Sequence, residues 1–382
     1  MKVALVHDWL TGMRGGERCL EVLCELFPDA DLYTLVHDPG KVSPAIERRR
    51  IRTSFINRLP RAKEYYRYYL PLFPSAIERF DFSPYDLIIS SSHCVAKGAK
   101  RPVGALHISY TYTPMRYAWD LYEEYFGGRS ALFQAVAIPA VMAYLRRWDR
   151  RACRRVDHFV AISRHVAGRI RRHYDREATV IYPPVDIERF RITREHRGYY
   201  LIVSALVPYK RIDLAVTAFN RLRMPLKIVG SGPEAARLKA LSGPTVEFLG
   251  QRSDEELVSL YGGCRALIFP GEEDFGIVPV EAQASGKPVI AYAKGGVTET
   301  VIPINPEIAD PQREDAATGV FFFDQTAEAL VDAVRLFEKG EHGFDPARLR
   351  EHARQFDRRI FKDRIRTFID EQWRAFQATG PC

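Results

Sequence analysis

The sequence predicts an α/β protein built from two doubly wound parallel-sheet domains. Its 382 residues exceed the length of one ordinary domain. Short apolar segments alternate with amphipathic helical segments in the first half, and the same alternation restarts after Pro183-Pro184. This alternation is typical of parallel sheets with helices on both faces. Apolar residues make up 46% and charged residues 27% of the chain, a composition that excludes disordered and fibrous classes.

The first half contains four predicted strands and one clear amphipathic helix. The strands occupy residues 3–6, 32–35, 87–90 and 158–162, and the helix occupies residues 17–26. Residues 130–145 carry no charge, but Gln134 and Pro139 interrupt this short segment, so it cannot span a bilayer. It predicts a buried helix, with an interfacial helix at a membrane surface as the alternative.

The second half repeats the pattern and ends in a long helical segment. Predicted strands occupy residues 200–203, 226–229, 246–249, 266–269 and 288–291, with helices at 212–222, 234–241, 254–262 and 278–285. Apolar residues recur at helical spacing over residues 358–376, which predicts a helix that packs back toward the N-terminal domain. The expected domains are therefore residues 1–183 and 184–356, followed by a C-terminal helix in residues 357–382.

The charge of the chain indicates an anionic partner. The formal net charge is +8, which suits nucleic acid, anionic lipid or a phosphorylated substrate. Arginines form two neighbouring strips on a predicted helix, at Arg146, Arg150 and Arg154 and at Arg147, Arg151 and Arg155. These strips predict either a solvated helix face or a platform for an anionic membrane or a polyprenyl diphosphate.

The cysteines indicate a cytoplasmic protein. The six cysteines are scattered and form no CxxC motif, so we expect reduced thiols. A predicted strand follows Met1-Lys2 directly, which predicts that no signal peptide is present.

The segment GEEDFGIVPVE at residues 271–281 is the most informative candidate site. Pro279 marks the first turn of a helix, where its missing N–H needs no partner. Free backbone N–H groups around residues 276–278 are then expected to face the cleft and to be available for a diphosphate. Glu273 before the turn can accept bonds from sugar hydroxyls, and Glu281 within the helix can accept bonds from ribose hydroxyls.

A second candidate segment, SALVPYKRID at residues 204–213, lies between a predicted strand and a helix. A nucleotide diphosphate leaving group gains negative charge as the glycosidic bond breaks, and fixed cations stabilise that charge. Lys210 and Arg211 are candidates for this role, with a solvated helix start as the alternative.

These motifs resemble the family-4 retaining glycosyltransferases of the GT-B fold, in which two Rossmann-like domains face each other across a cleft. The likeness is carried by Phe275-Gly276 between the two glutamates and by LVPYKRID at residues 206–213. The segments GMRGGER, SSSHCVAKG and YTPMRYAW, at residues 12–18, 90–98 and 112–119, are similar to those of bacterial mannosyltransferases of lipopolysaccharide and exopolysaccharide assembly.

The resemblance implies roles for individual residues. It implies that Glu273 contacts the donor sugar, that Glu281 contacts the ribose and that Lys210 contacts the diphosphate. It also implies that Gly15 and Gly16 approach the donor phosphates or the acceptor. The other residues it assigns are donor-binding Arg211, Gly230, Gly232, Phe275, Gly276 and Ile277, and the acceptor-side Tyr112 and Arg116.

Two positions depart from the family pattern. Ser204-Ala205 stands where the family has Gly-Arg or Ser-Arg, so Arg211 is the expected substitute for a phosphate-binding arginine. Tyr112 stands where related proteins carry histidine, which makes His93 the candidate histidine near the acceptor. A structural histidine beside a strand is the alternative interpretation of His93.

The resemblance further implies a metal-independent enzyme that uses front-face displacement. The expected donor is GDP-mannose, a co-substrate rather than a cofactor, with a UDP-hexose as the alternative. The expected acceptor is a polyprenyl diphosphate-linked oligosaccharide at the inner face of the cytoplasmic membrane, to which the protein binds peripherally. No DxD motif stands in the loop context of metal-dependent glycosyltransferases, so no metal site is predicted.

Two function classes compete with this interpretation. The loop GSGPEA at residues 230–235, with Glu247 on the next strand, fits the dinucleotide fingerprint of an NAD(P)-dependent oxidoreductase. That class leaves Glu273, Glu281 and Lys210 without a role. Tyrosines and arginines interleave at residues 58–69, as in nucleic-acid-binding proteins, but no helix-turn-helix, zinc or sheet-platform signature accompanies them. Nucleic acid is therefore not the expected partner.

Overall fold

The structure, a computed structural model, describes residues 1–119, 132–193, 195–304 and 317–379. The chain divides into two compact units. The first comprises residues 1–184 together with residues 361–382, and the second comprises residues 185–360. The C-terminal segment thus belongs to the first unit, although it follows the second in the sequence.

The described part of the first unit contains a sheet of seven strands that pair in parallel. The sheet order is β3-β2-β1-β4-β5-β6-β7. The strands are β1 (Val3–His7), β2 (Asp31–Thr34), β3 (Ile51–Thr53), β4 (Leu87–Ser92), β5 (Leu106–Thr111), β6 (His158–Ala161) and β7 (Ala178–Val180). The order reverses between β1 and β4, which pair from Val3↔Leu87 to His7↔Ser91. Ligands of doubly wound folds bind beside the carboxyl ends of strands at such a reversal.

Helices pack against this first sheet, with a core rich in aromatic side chains. The helices are Gly15–Leu26, Pro44–Glu47, Ala62–Tyr65, Phe73–Glu78, Arg116–Trp119, Leu132–Ala152, Arg164–Tyr174 and the C-terminal Arg358–Thr379. Trp9, Phe73 and Trp148 are buried in one continuous core cluster. The C-terminal helix joins the unit through Phe361, whose ring contacts Tyr110 at 5.4 Å, and through Lys362, which lies 3.2 Å from Glu25.

Within the described residues, the second unit contains a sheet of six parallel strands with the order β10-β9-β8-β11-β12-β13. The strands are β8 (Tyr199–Val203), β9 (Leu226–Val229), β10 (Val246–Gly250), β11 (Cys264–Phe269), β12 (Val289–Tyr292) and β13 (Gly319–Phe322). The order reverses between β8 and β11, which pair at Leu201↔Leu267. The second sheet therefore has the same winding as the first.

Helices also flank the second sheet. They are Ile212–Leu222, Ala235–Leu241, Asp254–Gly263, Ile277–Ala284, Val297–Thr300, Ala327–Gly340 and Pro346–Arg354. The ring of Tyr200 is fully buried between Phe219 and Phe337, at centroid distances of 5.1 and 6.1 Å. Burial of each such side chain contributes about 1.5–3 kcal/mol.

Several strands lie where the sequence predicts them, but β3, β5, β7 and β13 were not predicted. Strand β5 is fully buried, yet it alternates apolar residues with His107, Ser109 and Thr111. These buried polar side chains find partners inside the protein: the His107 ring bonds Ser90 at 2.9 Å, and Ser109 bonds Thr111 at 3.0 Å. A polar pattern therefore masks a central strand, because tertiary hydrogen bonds satisfy its side chains.

The predicted helix at residues 130–145 falls partly outside the described residues. The described helix is Leu132–Ala152, and it contains Pro139. Met142 and Leu145 are buried, whereas Tyr144 is 46% exposed. In the part of the chain that the structure describes, no helix has the length and apolar character needed to cross a membrane.

Candidate functional site

The loops that follow β8 and β11 meet where the order of the second sheet reverses. Because these strands are parallel neighbours, their carboxyl ends bring the two loops to the same edge of the sheet. Lys210 follows β8 and Glu273 follows β11. Both side chains line a small cavity with Ser204 and the backbone of Gly271.

Lys210 and Glu273 form an ion pair in this cavity. The ammonium nitrogen of Lys210 contacts Oε1 of Glu273, and the two side chains are 13% and 25% exposed. The loops approach each other closely, because a Cβ atom at Gly271 would lie 2.9 Å from the carbonyl oxygen of Lys210. Partial burial strengthens the attraction relative to bulk water. The arrangement presents a fixed cation beside a fixed carboxylate.

Arg211 ends the short turn Pro208–Lys210 and has the left-handed conformation, with φ of 52°. Its guanidinium donates to Oε1 of Gln325 at 3.2 Å and lies 3.5 Å from Asp213. Gln325 donates in turn to the carbonyl of Pro270 at 3.0 Å. Arg211 therefore links the start of the helix Ile212–Leu222 to the loop after β11.

Gly230 and Gly232 allow the loop after β9 to touch the loop after β8. A Cβ atom at Gly230 would lie 1.8 Å from the carbonyl oxygen of Ser204, and one at Gly232 would lie 2.2 Å from that of Leu206. The backbone of Leu206 also exchanges hydrogen bonds of 3.0 and 3.1 Å with Ser231 and Glu234. In this structure the Gly-x-Gly pattern serves backbone packing between two loops.

The helix Ile277–Ala284 begins immediately after Gly276, whose φ is 96°. Among the described residues no side chain caps this helix, and Pro279 lies in its first turn. Phe275 is 3% exposed, and its ring contacts Phe356 at 5.4 Å. The Phe275 side chain therefore anchors the loop, while the backbone at Gly276 and Ile277 forms the start of the helix.

Glu281 is held by a tyrosine that the sequence analysis did not single out. The buried Tyr261 hydroxyl donates to Oε2 of Glu281 at 2.7 Å. Burial and the neighbouring Glu281 raise the pKa of Tyr261 well above its ordinary value, so the tyrosine remains a donor. This bond orients the carboxylate that is the candidate ribose ligand.

Gly295 and Gly296 shape the loop that carries Glu273, and the sequence analysis also missed them. The N–H of Gly296 donates to the carbonyl of Glu273 at 2.7 Å. Cβ atoms at these glycines would lie 2.3 Å from the Glu273 carbonyl oxygen and 2.4 Å from Phe275 Cα, respectively. The adjacent pair of glycines after β12 is the sequence signal that could have identified them.

At the corresponding reversal of the first sheet, His93 lies beside a buried carboxylate. Asp8 directly follows β1 and is fully buried, whereas the His93 side chain is 26% exposed. Nδ1 of His93 lies 3.2 Å from Oδ2 of Asp8. The sequence analysis named His93 but not Asp8, although an aspartate directly after a buried strand is itself a signal for a site.

Tyr112 belongs to a buried hydrogen-bond chain that reaches the glycine turn. The Tyr112 hydroxyl donates to the carbonyl of Gly16 at 2.8 Å and lies 2.7 Å from the Ser91 hydroxyl. Ser91 lies 3.0 Å from Nδ1 of His7. Because Tyr112 donates to Gly16, Ser91 donates to Tyr112 and accepts from His7. Tyr112 thereby supports the start of the helix that Gly15 begins.

Glu17 closes the same network from the first turn of that helix. Its carboxylate accepts from the N–H of Arg14 at 3.0 Å and lies 3.6 Å from Nε2 of His7. Burial alone would raise the pKa of Glu17, but its interactions with His7 outweigh burial and lower the pKa. A carboxylate at a helix N-terminus is stabilised by the helix dipole.

Comparison with known proteins identifies the family. The profile described as "Glycosyltransferase Family 4" matches residues 13–189, and the one described as "Glycosyl transferases group 1" matches residues 185–356. The chain belongs to the family-4 glycosyltransferases. Membership of this family favours a sugar-transferring enzyme over the oxidoreductase and nucleic-acid-binding interpretations.

Several relatives of this glycosyltransferase have names that specify the sugar they transfer. The O-antigen chain mannosyltransferase C of Escherichia coli is 29% identical over 39% of this chain and 40% of its own length. A GDP-mannose-dependent phosphatidylinositol monomannoside mannosyltransferase of Corynebacterium glutamicum is 27% identical over 49% of this chain and 56% of its own length. The chain therefore spans about half the length of the curated relatives it matches.

The fold is also shared with solved structures. Anabaena HepE in complex with UDP aligns with a TM-score of 0.70 and 17% identity, over 97% of this chain and 100% of that chain. This likeness confirms the predicted fold class, two Rossmann-like parallel-sheet domains of the GT-B type.

The arginine strips of the glycosyltransferase line a surface groove in the first unit. The groove is bordered by Trp119, Ala143, Arg146, Arg147, Arg150, Arg151 and Arg154. Arg150 lies over the Trp119 ring at 4.9 Å, and that ring stacks on His173 at 4.7 Å. Arg155 points elsewhere and bonds Glu78 at 2.8 Å. The half-buried Arg116 begins the helix Arg116–Trp119, which borders the same region.

The tyrosine-rich segment divides between core and surface. Tyr66 is buried and its ring contacts Trp9 at 4.9 Å, whereas Tyr68 is 79% exposed.

Across the described residues, no cluster of three His, Cys, Asp or Glu side chains is arranged to hold a metal ion.

Proposed function

We propose that this glycosyltransferase transfers a hexose from a nucleotide diphosphate donor with retention of anomeric configuration and without a divalent metal. The second unit would bind the donor and the first unit the acceptor. The observation that carries the proposal is the ion pair of Lys210 and Glu273 at the reversal of the second sheet. It supplies a cation for the leaving diphosphate and a carboxylate for the donor sugar.

In the proposed reaction the acceptor oxygen attacks the anomeric carbon from the face that the diphosphate leaves. The bond between that carbon and the diphosphate oxygen breaks as the new glycosidic bond forms. The acceptor proton passes to the departing phosphate. Lys210 and the start of the helix Ile277–Ala284 stabilise the negative charge of the leaving group. Glu273 orients the sugar and stabilises the positive charge at its anomeric carbon without forming a covalent bond.

The proposed donor is GDP-mannose. Support comes from the relatives whose names specify mannosyl transfer, one of which is named as dependent on GDP-mannose. A UDP-hexose is the second candidate, because HepE binds UDP in a similar fold. In both cases Glu281, oriented by Tyr261, is the proposed ligand of the ribose hydroxyls.

The proposed acceptor is a polyprenyl diphosphate-linked oligosaccharide at the anionic inner face of the cytoplasmic membrane. The arginine groove supports this proposal, since it gathers several cations around Trp119 on one surface. Cations near an anionic membrane each contribute about 1 kcal/mol to binding. Peripheral association of a cytoplasmic enzyme is the localisation that follows from the proposal.

Calorimetric titration with GDP and with UDP, both in EDTA, tests the donor assignment. We expect micromolar binding of GDP and much weaker binding of UDP. Preference for UDP would move the donor to a UDP-hexose, and binding of neither nucleotide would contradict the proposed site.

Flotation with lipid vesicles tests the membrane surface. We expect binding to vesicles that contain phosphatidylglycerol and none to pure phosphatidylcholine, with loss of binding in the variant Arg147→Glu/Arg151→Glu/Arg154→Glu. The matched control is Arg221→Glu/Arg237→Glu/Arg335→Glu, the same charge change at three exposed arginines of the second unit. Equal flotation of the groove variant and the wild-type protein would contradict the proposal.

A further inference from the structure

A single buried carboxylate organises the loop that follows β4. Asp8 directly follows β1 and has no exposed surface. Its Oδ2 accepts the backbone N–H groups of His93 and Cys94 at 2.7 and 2.9 Å. Its Oδ1 accepts those of Val95 and Ala96 at 2.6 and 2.8 Å. Four donors converge on one side chain, so the loop is folded around Asp8.

The His93 ring is held by the same carboxylate. Nδ1 lies 3.2 Å from Oδ2 of Asp8, and the ring meets the Trp9 ring edge-on at a centroid distance of 4.3 Å. An ionised carboxylate can only accept hydrogen bonds, so the nitrogen that faces it carries the proton. The other nitrogen, Nε2, is then the one with the free lone pair when the ring is neutral.

The charges around the pair favour this protonation state. Burial lowers the pKa of His93, and the opposing effect of Asp8 does not cancel the shift, so the ring is neutral near pH 7. Burial would raise the pKa of Asp8, but Lys97 and the backbone N–H donors are among the groups that outweigh burial and lower it, so Asp8 stays ionised. His7, Glu17 and Arg14 are the other titratable groups that act on the ring.

A second buried carboxylate anchors the far end of the loop. Lys97 has no exposed surface, and its Nζ lies 2.8 Å from Oδ1 of Asp149 and 2.6 Å from the Cys94 carbonyl. Oδ2 of Asp149 accepts from Trp119 at 2.9 Å and from Tyr174 at 2.6 Å. With both ends tied to buried carboxylates, the loop cannot adjust easily, and the direction of the His93 ring is set before any ligand binds.

We propose that Asp8 is a positioning residue that holds His93 with its proton on Nδ1, so that Nε2 accepts a hydrogen bond from a substrate hydroxyl group. The identity of that hydroxyl, on a sugar of the transfer reaction, rests on the proposed function. The tautomer of the His93 ring is independent of the proposed function. Asparagine cannot replace Asp8 without loss of these hydrogen bonds. Its amide nitrogen is a donor, and it would face either the N–H donors of the loop or the protonated Nδ1.

Nitrogen NMR of the ring tests the tautomer directly, with neither donor nor acceptor present. The wild-type protein is labelled with ¹⁵N-histidine, and the His93 signals are assigned by their absence in His93→Gln. We expect a protonated Nδ1 and an unprotonated Nε2 at pH 7. The Nε2–H tautomer, or a charged ring, in the wild-type protein would overturn the proposal.

A double-mutant cycle tests whether Asp8 acts through His93. We expect Asp8→Asn to reduce the transfer rate about tenfold or more, since small displacements of a positioned group have effects of this size. In the His93→Gln background the same change should have an effect of less than about twofold, because interacting residues are not additive. Equal losses in both backgrounds would show a merely structural role for Asp8.

A matched carboxylate provides the control for the cycle. Asp157 accepts the backbone N–H of His107 at 2.8 Å and pairs with Arg101 at 3.1 Å, without contacting His93. Asp157→Asn should change the rate equally with and without His93. If Asp157→Asn instead coupled to His93 as strongly as Asp8→Asn does, the assignment of the effect to Asp8 would fail.

Discussion

The ammonium group of Lys210 and the carboxylate of Glu273 form an ion pair that joins the loops after β8 and β11. These strands are neighbours at the reversal of the second sheet, although the two residues are far apart in the sequence. The first sheet places Asp8 and His93 at its own reversal, after β1 and β4. Each unit thus presents its candidate catalytic residues where doubly wound folds bind ligands.

Replacement of Glu273 should abolish transfer while the protein stays folded. We expect Glu273→Ala to lose sugar transfer because no carboxylate then stabilises the anomeric centre. Its circular dichroism spectrum should stay that of the wild-type protein, although its melting temperature should fall, because Lys210, only 13% exposed, loses its partner. The control is Glu272→Ala, which removes the neighbouring carboxylate that pairs with Lys294 at 3.0 Å. Turnover near the wild-type rate in Glu273→Ala would refute the assignment.

Replacement of Lys210 should weaken binding of the nucleotide diphosphate. A hydrogen bond to a charged group contributes about 1.5–3 kcal/mol, which corresponds to about a 10- to 100-fold increase in Kd. Calorimetry with the diphosphate that the wild-type protein prefers measures this change. Lys294→Ala removes a lysine that pairs with Glu272 instead, and it should bind as the wild-type protein does. An unaltered Kd in Lys210→Ala would contradict the phosphate role.

A methyl group at Gly232 should destabilise the second unit. The added Cβ would lie 2.2 Å from the Leu206 carbonyl oxygen, so the two loops must separate. Overpacking of this kind costs about 1–3 kcal/mol. Denaturant unfolding measures the loss, with Gly343→Ala as the control, because nothing lies within 4 Å of a Cβ at Gly343. Equal stability of the two variants would show that the loops do not meet as described.

The stability of the first unit should fall as the pH decreases from neutrality. Burial lowers the pKa of His107 to about 3, whereas a histidine in an unfolded chain has a pKa of about 6.5. Between these values the unfolded chain binds a proton that the native protein does not, so stability decreases as the pH falls. We expect a slope of up to about 1.4 kcal/mol per pH unit from this residue.

Urea unfolding at pH 7 and pH 5 checks this contribution in the wild-type protein and in His107→Gln. Glutamine can still bond Ser90, which contacts the histidine ring at 2.9 Å, but it does not titrate. The variant should therefore lose less stability between the two pH values. The same loss in both proteins would assign the pH dependence to other groups.

Most residues of the proposed donor site were already candidates in the sequence. Local sequence patterns indicated the paired glutamates, the proline in the first helical turn and the lysine after a strand. Such patterns are informative because the residue types of loops and helix starts depend on their immediate neighbours in the sequence. The sequence analysis could not find Tyr261, Gly295 and Gly296 in the same way. Their roles arise from contacts with Glu281, Glu273 and Phe275, which lie on other elements.

The proposed acceptor side depended more strongly on tertiary structure. His93 was a candidate from its sequence context, but Asp8 became a partner only when β1 and β4 paired in parallel. Lys97 follows in the same segment, and it is buried in an ion pair with Asp149. A charged side chain is buried where another part of the chain neutralises it. Here that partner is Asp149, which the sequence around Lys97 does not indicate.

The sequence by itself determined the two doubly wound domains and the residues at the edges of the strands, because hydrophobic periodicity and turn chemistry are local properties. The family followed from the resemblance of its motifs. Only the tertiary structure decided which of those residues meet. Lys210 pairs with Glu273, and Asp8 holds His93, because parallel pairing brings the carboxyl ends of distant strands to one edge of each sheet.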